Sequence, residues 1–577
     1  MLKAQKGKET DGMVRYLGKK IMAIGLSLVL CCTGCDKEYL SSSSGGDFLL
    51  TSSVEKRMEK ASKEPFGRYP ETITYTLGKI SNSDNAGMPE GDTFEDNAYT
   101  RYLKQQLNIQ NENVFSGSGS DYNSMVVMAI TSGEIPDIMV LEDYEYLKIL
   151  VEKDMIEDLT PYYNQCASDR IKEIYSSYGS DYFNEVTFNG KMMAFPETLI
   201  DSGPNVLWLR YDWLEELNLE EPKTIEDVEN IAKQFKEHDM SKTGETIGLP
   251  MTTDISSDYI ASMSILFASK GSYLRNWIKK DGSYQYGSIQ PEAKEGLKEL
   301  RRLYKEGTLD NQFLFRADNN IEELIKDGKC GIFFGEWWSG DNPLMQARSK
   351  NKDADWRPYL IETDSDGKTS YVQQNPVGKY VVVRKGFEHP EIVIKMHNVL
   401  FNKLQQEDSQ LNEIAQYYKR NVDPTARPCS INVDYENALE RSYENIQGAL
   451  TGEIDPKSLE LMNYSYYKAC KRYKEKGKEA SDADWAAYIT RIVACSLLQE
   501  DKIKKIDTYY LGENTKTMEK KWESLMALEK ETYLSIITGE KPLSYFDTFV
   551  KQWKADGGEQ ITKEVNQMYQ EKHSFSL

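Results

Sequence analysis

Met128-Ala129-Ile130-Thr131-Ser132-Gly133-Glu134-Ile135-Pro136-Asp137-Ile138-Met139-Val140-Leu141 joins the end of a helix to a buried strand. The last four residues are an unbroken apolar run, as expected of a strand covered on both faces in a parallel sheet. The first continue an apolar helical pattern from Met125 to Ile130, which Asp121 is placed to cap. The alternation extends outward from here. Upstream, Thr72 to Leu77 alternates with period two, Tyr99, Tyr102, Leu103 and Leu107 share a helical face, and Asn113-Val114-Phe115 reads as a short strand. Downstream, Val206 to Arg210 is strand-like and the helix Asp212 to Leu217 follows. Thr224 and Asp227 form a capping-box pattern, and Pro291 opens an amphipathic helix that Gly307 closes. Lys329 to Gly335 and Tyr380 to Val383 are further short strands, and beyond Pro390 the text is mostly helical. Strands alternating with helices predict an α/β protein. No internal repeat is visible, which argues against a solenoid.

The 577 residues suffice for about two to four ordinary domains. Hydrophobic residues at 39% and charged residues at 28% give a globular balance, and the net charge of −21 argues against nucleic acid or an anionic membrane as the main partner. Only 4 histidines are present, which leaves little room for a histidine metal centre or a histidine-dependent triad. The 37 tyrosines and 9 tryptophans favour binding over chemistry.

The amino terminus carries Lys3, Lys6, Lys8, Arg15, Lys19 and Lys20, then an apolar run from Ile21 to Leu30, then Cys31-Cys32-Thr33-Gly34-Cys35. This order predicts an export signal over 1–34, with Met13 as an alternative start. The run is too short to span a bilayer, which takes roughly 20 apolar residues. Thr33-Gly34-Cys35 resembles the lipobox of bacterial lipoproteins, although Cys32 stands where leucine is usual. That resemblance implies lipidation of Cys35 and anchoring of the protein to the membrane. Ser41 to Gly46 reads as the start of a flexible tether over 35–65. Cys166, Cys330, Cys429, Cys470 and Cys495 are widely spaced and predict buried thiols, at most one pair bridged.

Met128 to Ile138, Phe188-Asn189-Gly190-Lys191-Met192-Met193-Ala194-Phe195-Pro196, Leu207 to Leu214 with Glu221-Pro222-Lys223-Thr224, Gly335-Glu336-Trp337-Trp338, and Trp553 to Gly558 follow one another in this order. Together they resemble the extracellular solute-binding proteins of ABC importers, family 1, in the long lipoprotein branch of Gram-positive bacteria. The resemblance runs from Glu71 to Ser574. It implies a type II periplasmic-binding fold with two α/β lobes around a ligand cleft and a long helical C-terminal part. Lobe 1 would take 66–205 and, after a return, 376–450. Lobe 2 would take 206–375, and 451–577 would pack across both. Ligands in α/β folds sit at the carboxyl ends of strands, which agrees with such a cleft.

A sugar presents hydroxyls that need donors and acceptors, and C–H faces that stack on flat rings. Glu336, Trp337, Trp338 and Asp341 offer both in one loop after a buried strand, with Trp337 as the first stacking candidate and Trp338 the second. The alternative for either ring is core packing. Asp201 and Asn205 at the first predicted crossing, and Asn375 in Gln373-Gln374-Asn375-Pro376 at the return, either bind hydroxyls or satisfy turns. Trp208 and Trp213 read as core, and Asp137 as a cap, a bond within the lobe or a ligand contact. Many relatives carry a calcium loop where Asp239 to Gly248 stands here. Lys242 in its middle and the thinned acidic ligands predict no calcium, and no cofactor is expected.

The resemblance implies a monomeric, membrane-anchored extracellular protein that captures a solute, most readily an oligosaccharide, for ABC permease subunits. A sensing module of the same fold and a surface glycosidase are the alternatives. No nucleophile, metal-protease, P-loop or dinucleotide fingerprint supports catalysis.

Overall fold

The computed structural model describes residues 44–574 except 83–86, 181, 374, 406–411, 421, 500 and 512–513. The export signal, Cys35 and Gln374 lie outside the described residues.

Four strands enter a first sheet in chain order: β1 (Ile73–Ile80), β2 (Ile109–Gly117), β3 (Ile138–Leu141) and β4 (Phe195–Thr198). The chain then forms a second sheet from β5 (Val206–Arg210), β6 (Ile332–Gly335) and β7 (Trp356–Tyr359), and returns with β8 (Val377–Val383). The first sheet runs β2-β1-β3-β8-β4, with β1 parallel to β2 and β3, and β8 antiparallel to β3 and β4. The second runs β6-β5-β7, all antiparallel. The apolar run of β3 is central and wholly buried, as its composition requires.

Capping chemistry sets two helix ends as the sequence predicts. Thr224 and Asp227 exchange capping bonds at the start of Ile225–Glu237, and Gly307 closes Pro291–Glu306 at φ 78°. Asp121 is a correction. Ser118 is the N-cap of Gly119–Ser132, and Asp121 lies inside the first turn, where its charge favours the positive end of the helix dipole.

The tether reading also needs correction, because Ser44–Lys63 is a helix. From Arg57 onward it belongs to the folded body. Ala61 is buried and Met58 packs on the first core, and the buried Lys395 ammonium donates to the Ala61 and Gly67 carbonyls, the latter at 2.7 Å. Burial brings Lys395 down to about 8. A chain starting at Glu64 is therefore expected to be less stable than one starting at Arg57, by about 1–3 kcal/mol in the unit holding Lys395. Denaturant unfolding of the two truncations checks this; equal midpoints would show that the helix end contributes nothing.

Buried side chains through Phe195, and again from Val377 to Tyr435, share one core. Residues of β5 alternate between two further cores on opposite faces of the second sheet: Leu207 and Leu209 on one, Val206 and Trp208 on the other. Met518 to Val565 complete the former, where Trp553 stacks on Tyr286 at 5.0 Å, and Leu439 to Cys495 contribute to the latter. The chain thus passes between the halves at 199–205, at 362–376 and at 436–438. Thr369–Tyr371, in the second passage, pairs in parallel with Ile503–Lys505 from the C-terminal region. Lys505 in turn reaches Asp201 in the first passage at 2.7 Å and Glu436 in the third at 3.2 Å.

Among the described residues no helix is long and apolar enough to cross a membrane. The five cysteines from Cys166 on are free and buried.

Candidate ligand-binding cleft

A cavity of about 490 Å³ opens where the first two passages meet the second half of the molecule. Its walls come from 199–205, from 255–276, from the end of β6 and from 370–373. Its position beyond the carboxyl end of a strand follows the general placement of ligands in α/β folds.

The loop after β6 supplies the floor. Gly335 ends the strand, and Trp337–Gly340 is a single 3-10 turn. At three residues per turn, adjacent side chains point about 120° apart, so the two tryptophans cannot share a direction. Trp338 lines the cavity, with its ring 5.6 Å from that of Tyr259. Trp337 does not line it. It is 6% exposed and packs into the core behind the loop, with the Arg491 guanidinium 4.5 Å over its ring. Arg491 also lies 4.2 Å over Tyr466 and donates to its hydroxyl at 2.9 Å. Asp341 belongs to this rear cluster: burial raises its carboxyl and the Arg491 charge opposes the rise. Gly340 is required because a Cβ there would come within 2.7 Å of Thr490 and Ile489. Both residues belong to the π-helical turn Ile489–Ala494, which follows the helix Asp482–Tyr488.

Glu336 lines the cavity, and its backbone carbonyl is fixed by the Trp208 indole N–H and the Ser339 N–H, both at 3.0 Å. Burial, and secondarily the Asp258 carboxylate, push its carboxyl up to about 8. Between an unfolded value near 4.5 and a folded value near 8, the folded protein holds the extra proton, so stability falls as pH rises through this window. Glu336→Gln cannot ionise, so its thermal midpoint relative to the unaltered protein is expected to climb from pH 5 to pH 9. Parallel pH profiles would refute this.

Asn205 also lines the cavity; its amide donates to the Asp258 carbonyl at 2.7 Å and accepts from Ser264 at 3.0 Å. Asp201 is present in the wall but engaged, accepting from Tyr371 at 2.9 Å and Gly203 N–H at 3.0 Å besides Lys505. Asn375 does not line the cavity; it accepts from Val377 N–H at 3.1 Å and approaches Glu185 at 3.4 Å. Asp137 serves its own half, accepting from Thr76 and pairing with Arg384 at 2.6 Å, which hold it below the usual carboxylate range. Trp208 and Trp213 are buried.

Sequence reading missed Tyr259, Tyr273 and Tyr371, which surround the cavity with Phe267, Asn276 and several serines. The signal available was the density of serine, aspartate and aromatic residues from Asp254 to Asn276, a stretch without regular periodicity.

At the Asp239 loop, the carboxylate accepts from Thr246 at 2.7 Å and from Gly244 N–H at 2.8 Å, and Lys242 turns to Glu216 at 3.5 Å. Among the described residues no group of three or more histidine, cysteine or acidic side chains is placed to hold a metal.

The model of the bacterial extracellular solute-binding protein family matches residues 85–407, more than half of the chain. The chain belongs to this family. The solute-binding protein is 25% identical over 238 residues to the polygalacturonan/rhamnogalacturonan-binding protein YtcQ of Bacillus subtilis, covering 39% of this chain and 43% of that one. It is 25% identical over 239 residues to the fructooligosaccharide ABC transporter substrate-binding protein FusA of Streptococcus pneumoniae, with the same coverages. The chain thus spans less than half the length of these two curated relatives. It is 23% identical to lipoprotein LipO of Bacillus subtilis over 78% of this chain and 84% of that one. The structure of FusA in complex with kestose matches with a TM-score of 0.59 at 16% identity, over 87% of this chain and 99% of that one. That likeness establishes the type II periplasmic-binding fold, with two α/β lobes and a cleft between them.

Proposed function

We propose that this solute-binding protein captures an oligosaccharide in the cavity between its lobes and delivers it to the permease subunits of an ABC importer. The observation that carries this reading is the lining: Trp338 and Tyr259 as adjoining ring faces, with Tyr273, Tyr371, Asn205, Asn276 and serines around them. Rings match the apolar faces of a sugar, and short polar side chains match its hydroxyls. YtcQ and FusA, both named for glycan ligands, support it. Closure follows from a ligand held by the second lobe and then touched by the first, since contact with both lobes shifts the population toward the closed form. Lipidation at Cys35 places the protein on the outer face of the cytoplasmic membrane, a reading supported by the match to lipoprotein LipO.

Thermal unfolding of the full chain across a panel of oligosaccharides tests the reading. A ligand at a hundred times its Kd is expected to stabilise the native state by about 2.7 kcal/mol. No shift with any glycan, alongside a shift with another solute, would overturn it. Cys35→Ala is expected to release the protein from the membrane fraction into the medium.

A further inference from the structure

The curated relatives disagree about charge. YtcQ is named for polygalacturonan, an acidic chain, and FusA for neutral fructans. The cavity itself separates these cases. Asp201, Asp258 and Glu336 line it, and among the described residues no lysine, arginine or histidine does. Two neighbouring cations are already engaged: Lys505, which pairs with the lining Asp201 and with Glu436, and Arg275, between the lining residues Leu274 and Asn276, with Glu529 at 3.0 Å and Asp254 at 3.3 Å. A ligand carboxylate would therefore enter a pocket of like charge without a guanidinium or ammonium to receive it.

Glu336 adds a second, independent observation. Its position is fixed through its backbone carbonyl, yet no described group hydrogen-bonds or ion-pairs with its carboxyl. The residue is half-buried, and its carboxyl is left open for a ligand atom to bond. Here the open side is the cavity.

Resting on the oligosaccharide reading, we propose that this cleft takes uncharged oligosaccharides and rejects uronic-acid chains, with the Glu336 carboxyl group bonding a sugar oxygen at the cavity floor. Because burial and Asp258 raise this carboxyl to about 8, it meets a neutral ligand as the acid, which both donates and accepts. A uronate would instead face the Asp258 carboxylate, since the Asp201 charge is offset by Lys505. Bonding through the acid form couples binding to one proton, so affinity for a neutral sugar falls as pH rises through 8. The other titratable groups lining the cavity are Asp258, Tyr259, whose hydroxyl donates to Glu322 at 2.6 Å, Tyr273, Tyr371, whose hydroxyl donates to Asp201 at 2.9 Å, and the Lys505-paired Asp201 itself.

Isothermal titration of the full chain with neutral fructo- and malto-oligosaccharides and with oligogalacturonate, from pH 6 to pH 9.5, tests the proposal. The uronate is expected to bind at least about a hundredfold more weakly than the best neutral ligand. Affinity for the latter is expected to fall above pH 8 by up to about tenfold per unit. Glu336→Gln cannot ionise, so it is expected to lose that pH dependence, whatever its affinity at pH 7. An equally tight uronate overturns this proposal and leaves the oligosaccharide reading standing. A pH profile unchanged in Glu336→Gln, shown to be folded by its thermal transition, overturns the role of Glu336. Absence of binding by every glycan overturns both the reading and the proposal.

Discussion

Trp338→Ala is expected to weaken oligosaccharide binding by roughly thirtyfold or more, the loss typical of a central aromatic anchor, with little change in stability. The ring is half-buried in the free protein and faces the cavity beside Tyr259, so its removal opens space where the ligand would sit. Stacking beyond simple burial contributes about 0.5–1.5 kcal/mol, and loss of the covered area adds to this. Titration with the best ligand of the panel measures the effect. Unchanged affinity would place the stacking surface elsewhere.

Trp337→Ala is expected to behave in the opposite way. Its ring lies in the core behind the loop, between β6 and the helical segment 482–498, and covers the Arg491 guanidinium. Truncating a buried tryptophan costs about 3–5 kcal/mol, and here it also uncovers the half-buried Arg491 guanidinium. Denaturant unfolding is expected to show this loss in the second lobe. A variant of normal stability that no longer binds would reverse the assignment of the two rings.

The contrast between neighbouring tryptophans shows where sequence reading ends. β3 and β5 are legible because an apolar run has few ways to be buried, and the Thr224 cap and the Gly307 terminator are local signals. The loop Gly335 to Asn342 was also legible as a place where aromatic and acidic residues meet. Which ring faces out depends on the phase of one 3-10 turn and on a helical segment some 150 residues further along the chain, and neither is written locally. Asp201 illustrates the same limit: its partners Tyr371 and Lys505 are distant in sequence. The Asp254 to Asn276 wall escaped notice because it has no periodicity to read.

The lysine that joins the three passages has a mechanical consequence. Lys505 holds Asp201 and Glu436, and its strand zips to the second passage beside Tyr371. The connections between the lobes are thus tied together at one place instead of running as three independent strings. A body fastened at one point to its neighbour can swing but cannot glide, so the closure proposed above would reduce to rotation about an axis near this knot. The cavity begins a few residues away, at Asp201 and Tyr371, so in that closure the part of the cavity closest to the pivot would move least. The far rim, by the same lever, sweeps the widest arc.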